Sequence, residues 1–160
     1  LLLAILFVLI MGPPAPENHP QVCPVVGTVQ FSQSYNIRHH RGGRHGGVDV
    51  YAPRGTPVVA PETGLLTYSS NSKGGLTAYL YAEEYTYYFA HMDSQGIPDF
   101  ELSFSGEAWR IGAGTQLGTV GNTGNAKRTS PHLHFEKRIG TSKRNPYSLL
   151  ADACYRRINA

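Results

Sequence analysis

The chain lacks any long apolar stretch. Its longest uninterrupted apolar run, Leu1 to Met11, has 11 residues, which as a helix would reach about 16 Å against the roughly 30 Å of a bilayer core, so it cannot span a membrane alone as written. Charge is sparse too: charged residues make up 16% of the chain, well below the roughly one quarter usual in soluble domains. The formal net charge is only +3, enough for a weak preference for anionic polymers. No basic stripe with interleaved aromatics occurs, so no dedicated nucleic-acid surface is expected. Cysteine is limited to Cys23 and Cys154, without the CxxC-type spacing of a thiolate metal site. Gly121-Asn122-Thr123-Gly124-Asn125 lacks the Gly-Lys-Ser/Thr ending of a P-loop and reads as a turn placing the strand after it.

Glycine, by contrast, is plentiful, with 18 residues, and a turn-rich, mainly β domain fits. The 160 residues leave one domain of about 130 once the ends are set aside, enough for a real core. Residues 1–11 are expected to be a signal-peptide core or the tail of a longer anchor, since the sequence opens without an initiator Met. Pro13, Pro14, Pro16 and Pro20 stiffen a linker over 12–24. Pro16 directly after Ala15 argues against clean cleavage there. The folded domain is expected over 25–157. Cys23 and Cys154 bracket it, and an even pair in an exported protein favours a disulfide.

Strands are predicted over 25–31, 47–51, 57–60, 64–69, 116–120 and 133–138, with a hairpin of 76–81 and 85–91 turning at Ala82-Glu83-Glu84. Tyr79, Tyr81, Tyr85, Tyr87 and Tyr88 have the look of an aromatic box, but β-propensity and cross-strand packing are the favoured explanation for them. Asn145 followed by Pro146 predicts the start of a short helix running to about Arg156.

The chemistry lies in His45-Gly46-Gly47-Val48-Asp49, His91 and His132-Leu133-His134. In extended chain, His45 and Asp49 (i, i+4) share a face, as do His132 and His134 (i, i+2). Imidazole nitrogens and a carboxylate suit zinc, whose catalytic sites typically keep three protein ligands and leave a fourth position for water. From spacing, His45, Asp49 and one histidine of the HxH pair would bind metal, leaving the other beside the water with His91 opposite. His19, His39 and His40 have no partner at ligand spacing and are expected in solvent, though His40 or Arg44 could touch substrate because their loop leads into His45.

These residues sit in a longer pattern: Arg54-Gly55-Thr56-Pro57-Val58-Val59-Ala60, Tyr88-Phe89-Ala90-His91-Met92, Gly112 to Gly118, Gly121-Asn122-Thr123-Gly124 and Pro131-His132-Leu133-His134-Phe135-Glu136. In that order they resemble the LytM/lysostaphin-type zinc metallopeptidases, peptidase family M23, over roughly residues 25 to 151. The resemblance implies a compact antiparallel β-sheet of LytM type, the duplicated hybrid motif, with a short C-terminal helix. It implies one zinc per chain on His45, Asp49 and His134, with His132 and His91 as catalytic histidines. His132 is expected as general base, with His91 orienting water or stabilising an oxyanion, roles that could be exchanged. Peptide bonds of bacterial cell-wall peptidoglycan, in cross-links or stem peptides, are the implied substrate, and the implied location is extracytoplasmic. The alternative is a catalytically silent LytM-like protein that binds cell wall or regulates another hydrolase. A purely structural exported β-domain is the third reading. Residues 92–107 are longer than the link usual in the family and could wall a groove or cover a sheet edge.

Overall fold

In a computed structural model, residues 21–38, 42–94 and 108–155 are described. The apolar run, most of the Pro-rich segment, His19, His39, His40 and nearly all of the 92–107 insertion lie outside them. Among the described residues the strands are β1 (Val48–Tyr51), β2 (Pro57–Val59), β3 (Gly64–Asn71), β4 (Gly75–Tyr81), β5 (Thr86–Met92), β6 (Trp109–Ile111), β7 (Gln116–Thr119), β8 (His132–Ile139) and β9 (Ser142–Arg144), followed by helix α1 (Tyr147–Tyr155). The main sheet runs β1-β8-β5-β4-β3-β6 with β9 also on β8, and β2 pairs β7 in a second, two-stranded sheet. Every pairing is antiparallel. The expected mainly β architecture with a short C-terminal helix is therefore present.

Alternation decides the two faces of the main sheet. Residues directly opposite across an antiparallel ladder share a face. Val48 pairs with Phe135 and Phe135 with Phe89, and this face carries Val50, Leu133, Tyr87, Ala78, Leu80 and Leu66, all fully buried. The small sheet adds Val58 and Leu117, and α1 adds Leu149, Leu150 and Cys154. Tyr87 belongs to this core, stacked 5.6 Å from Phe135, with its hydroxyl donating to Glu62 Oε1 at 2.7 Å. Burial first, then that bond, pushes the phenol well above its ordinary range.

The opposite face carries Asp49, His134 and Ala90 in one row and Glu136, Tyr88 and Tyr79 in another. The five tyrosines do not form one box. Tyr79 and Tyr88 pair at 4.9 Å beneath the Arg138 guanidinium, which lies 5.5 and 5.0 Å from their rings, while Tyr87 faces the core.

One sequence expectation needs correction, and two short strands were not predicted. Residues 25–31 make only isolated bridges, Val25 to Val58 and Gln30 to Tyr51, because Gly27 turns through φ 88° and breaks the extended run. Strands β6 and β9, three residues each, are too short to show a period. The helix begins where the cap signal places it: Asn145 Oδ1 accepts the Tyr147 N–H at 3.0 Å, the Pro146 carbonyl accepts from the Leu150 N–H, and α1 runs from Tyr147 to Tyr155. The cysteine expectation holds: Cys23 and Cys154 form a disulfide across a sequence separation of 131.

Candidate metal centre

His45 reaches the sheet from a loop rather than from a strand. The chain crosses itself where Arg38 bridges Arg44, and the His45 N–H donates to the Ile37 carbonyl at 2.9 Å. Gly46 and Gly47 then carry the chain into β1 so closely against β8 that a Cβ on Gly47 would lie 2.2 Å from the Phe135 carbonyl oxygen. Asp49 is the second residue of β1, directly opposite His134 on β8. The three side chains meet there: His45 Nε2 to Asp49 Oδ1 3.1 Å, His45 Nε2 to His134 Nδ1 3.0 Å, and His134 Nδ1 to Asp49 Oδ1 2.9 Å.

The protons can be placed from the other ring nitrogens. His45 Nδ1 lies 3.0 Å from the Ser34 carbonyl, which only accepts, so Nδ1 carries the hydrogen and Nε2 the lone pair. His134 Nε2 lies 3.1 Å from Glu136 Oε1, so Nε2 carries the hydrogen and Nδ1 the lone pair. Two imidazole lone pairs and a carboxylate oxygen thus converge. Three acceptors cannot bond to one another; a cation or a proton must lie among them. Burial alone would raise the Asp49 carboxyl, but the bonds from His134 and His45 outweigh it and hold it far below the usual carboxylate range. Burial likewise disfavours a charged His134, yet its bonds to Asp49 and Glu136 raise it. A proton is drawn to the place a metal would take. The donor set, two imidazoles and one carboxylate with ligand atoms within 4.8 Å of one another, fits zinc.

The other two histidines stand beside this cluster. His132 Nε2 is 3.9 Å from Asp49 Oδ1, and its Nδ1 lies 2.8 Å from the Ser130 carbonyl. His91 is brought in by an irregularity. Strict alternation would turn it to the core, but Phe89 pairs with Ala78 and Met92 with Leu76, so Ala90 and His91 together oppose Thr77. This bulge, with His91 at φ 66°, re-aims the side chain. Its ring lies 5.0 Å from His132 and 6.0 Å from His134. The His91 N–H donates to the Gly74 carbonyl at 2.7 Å and its Nδ1 to the Thr123 carbonyl at 2.9 Å. Burial, then repulsion from His132 and His134, pushes the His91 ring down to about 4, so it is neutral at physiological pH. In both His132 and His91 the neutral ring therefore keeps its lone pair on Nε2.

All five expected side chains come together. Three partners of these side chains were not singled out from sequence: the carbonyls of Ser34, Thr123 and Ser130. The Gly121 turn was expected to place the HxH strand, and Gly121 does bridge His132. Thr123 in that turn also orders the neighbouring strands, accepting the Leu76 N–H and donating to the Met92 carbonyl through Oγ1. Arg44, in the loop before His45, donates to the Asn36 carbonyl at 2.9 Å.

A β-sheet with a two-histidine, one-aspartate cluster on the face opposite its apolar core and two further histidines beside it has the make-up of a LytM-type peptidase domain. The model of peptidase family M23 matches residues 43–146, and the chain belongs to that family. DD-carboxypeptidase/endopeptidase Mpg of Neisseria meningitidis is 33% identical over 112 residues, 69% of this chain and 24% of that protein. Peptidoglycan DD-endopeptidase ShyC of Vibrio cholerae is 34% identical over 104 residues, 64% of this chain and 22% of that protein. The chain thus spans about a quarter of the length of these relatives. The catalytic domain of the antimicrobial peptidase lysostaphin from Staphylococcus simulans shares the fold, with a TM-score of 0.64 at 23% identity, covering 76% of this chain and 92% of that domain.

Proposed function

We propose that this protein is a zinc-dependent endopeptidase that cleaves peptide bonds in bacterial cell-wall peptidoglycan. The observation that carries the proposal is the convergence of His45 Nε2, Asp49 Oδ1 and His134 Nδ1 within about 3 Å of one another, with the imidazoles of His132 and His91 beside them. Those three atoms would hold zinc. When bound, zinc supplies a Lewis acid for the scissile carbonyl and lowers the pKa of a water to about 7.

His132 takes the proton of the attacking water at Nε2 and returns it to the leaving amine nitrogen, while the Ser130 carbonyl holds its Nδ1–H and stabilises the ring as it charges. His91 orients that water by accepting at Nε2. Oxyanion stabilisation suits it less, because its one N–H already donates to Thr123 and burial opposes a second. The named activities of Mpg and ShyC, both peptidoglycan or DD-peptide enzymes by description, support the substrate class. The Cys23–Cys154 disulfide suits an oxidising, extracytoplasmic compartment, with residues 1–11 as export signal or anchor and 25–157 as the peptidase domain.

Digestion of purified peptidoglycan, with mass analysis of the fragments, tests the reading. Release of cross-link or stem-peptide cleavage products that stops on chelation is expected. Intact peptidoglycan after incubation with the zinc-loaded protein would overturn it.

A further inference from the structure

Behind His134 lies a carboxylate that the chemistry above does not use. Glu136 follows two residues later on the same face of β8 and is only 3% exposed, the one buried carboxylate among the described residues. Each oxygen has partners. Oε1 accepts from His134 Nε2 at 3.1 Å and from Lys143 Nζ at 2.6 Å, and Oε2 from Arg138 Nε at 2.8 Å and Nη2 at 2.5 Å. A buried ion is costly unless such partners are in place, and here β8 and β9 supply two cations for one anion.

Lys143 arrives because β9 folds back on β8 with Arg144 opposite Lys137. Space for it comes from the first motif: a Cβ on Gly46 would lie 2.2 Å from Lys143 Nζ and 2.7 Å from Glu136 Oε1. The His-Gly-Gly sequence and the carboxylate two residues beyond the HxH pair are therefore parts of one packing arrangement. Every polar group around the Glu136 carboxyl is an N–H donor, from His134, Lys143 and Arg138, so both of its oxygens act as acceptors. With four donors upon it, and with His134 between it and Asp49, Glu136 is badly placed to act as a general base.

We propose that Glu136 is a positioning residue: by accepting the His134 Nε2–H it fixes that ring with its Nδ1 lone pair toward Asp49 and His45, and so sets the affinity of the centre for its cation. The assignment rests on the reading of His45, Asp49 and His134 as the metal site. A carboxylate behind a ligating imidazole fixes the tautomer and makes the ligand more basic, and losing such a partner typically weakens metal binding about 10- to 100-fold.

The test compares wild type, Glu136→Gln, Glu136→Ala and Asp49→Ala. Zinc affinity is measured by competition with a chelating indicator, the histidine protonation pattern by long-range proton–nitrogen NMR of the zinc-loaded wild type, and the fold by thermal unfolding of the metal-free proteins. The expected result is a zinc Kd weaker by about 10- to 100-fold in Glu136→Ala, partly rescued in Glu136→Gln, whose amide oxygen can still accept the Nε2–H. The wild-type spectrum should show the His134 proton on Nε2. Unchanged zinc affinity in both Glu136 variants, while Asp49→Ala loses zinc, overturns the Glu136 assignment alone. A His134 proton on Nδ1 in zinc-loaded wild type overturns it without any variant, so a variant that fails to fold does not decide the matter. If Asp49→Ala binds zinc as tightly as wild type, the metal-site reading fails and this proposal falls with it.

Discussion

Three acceptors within about one hydrogen-bond length of one another make the residue scale informative, because removing any one of them leaves a cation only two protein ligands. His45→Ala, Asp49→Ala and His134→Ala should each lower bound zinc to a small fraction of one ion per chain, since two protein ligands hold the ion poorly; metal analysis after dialysis checks this. His132→Ala and His91→Ala should keep the zinc but lose about a hundredfold or more in rate, the usual scale for a lost acid/base group. His91 adds a pH signature. Its depressed titration means that the folded state resists protonation while the unfolded chain, near 6.5, accepts it, so stability attributable to neutral His91 is complete above about 6.5 and lost as pH falls toward about 4. Thermal unfolding of metal-free His91→Ala should accordingly fall less steeply than wild type between those values. The site side chains were legible in the sequence because ligand chemistry depends on residue type and local spacing. The carbonyls of Ser34, Ser130 and Thr123 were not, since every residue offers a carbonyl and only the fold selects which one faces a ring. Glu136 was partly legible, because alternation places it on the face of His132 and His134.

At the scale of elements, the centre depends on β1 lying flat on β8. The Val48–Phe135 and Asp49–His134 pairs require a residue without a side chain just before β1, as the 2.2 Å approach at Gly47 demands. Gly47→Ala should push the two strands apart, costing about 1–3 kcal/mol or more as overpacking against backbone, and should weaken zinc binding along with the melting temperature. A normal zinc Kd in a well-folded Gly47→Ala protein would count against this dependence. Strands β3, β4 and β5 were readable from alternation and aromatic content. The bulge at Ala90-His91 was not, because it shows only when β4 is laid against β5, and simple alternation would have sent His91 to the core. Glycine at position 27 was visible, but that it ends a strand rather than marking a bulge follows from the tertiary pairing of Val25 and Gln30 with different partners.

For the whole molecule, the two faces of the main sheet divide the labour: one packs on the small sheet and α1, the other holds the cluster. The division was only half visible beforehand, since period-two alternation marks two faces but β1 meets β8 across more than half the chain. The Cys23–Cys154 bond sits with the packed face, where Cys23 and Cys154 join the core. In the chain-entropy picture a loop of this length contributes of order 4 to 5 kcal/mol. Reduction of the metal-free protein should lower its melting temperature markedly, whereas zinc affinity at 25 °C should change little in protein that stays folded. A melting temperature indifferent to reductant would argue that the bond is idle.

The same bond has a topological consequence. Because it joins two points 131 residues apart, everything between them, including every residue of the cluster, forms a closed covalent ring. A protease that cuts the ring once opens it without dividing it: the non-reduced product should be a single species heavier than the intact chain by one water, separating into two fragments only when thiol is added. In surroundings rich in peptidases, a molecule built this way keeps both halves of its centre tethered through the first cut.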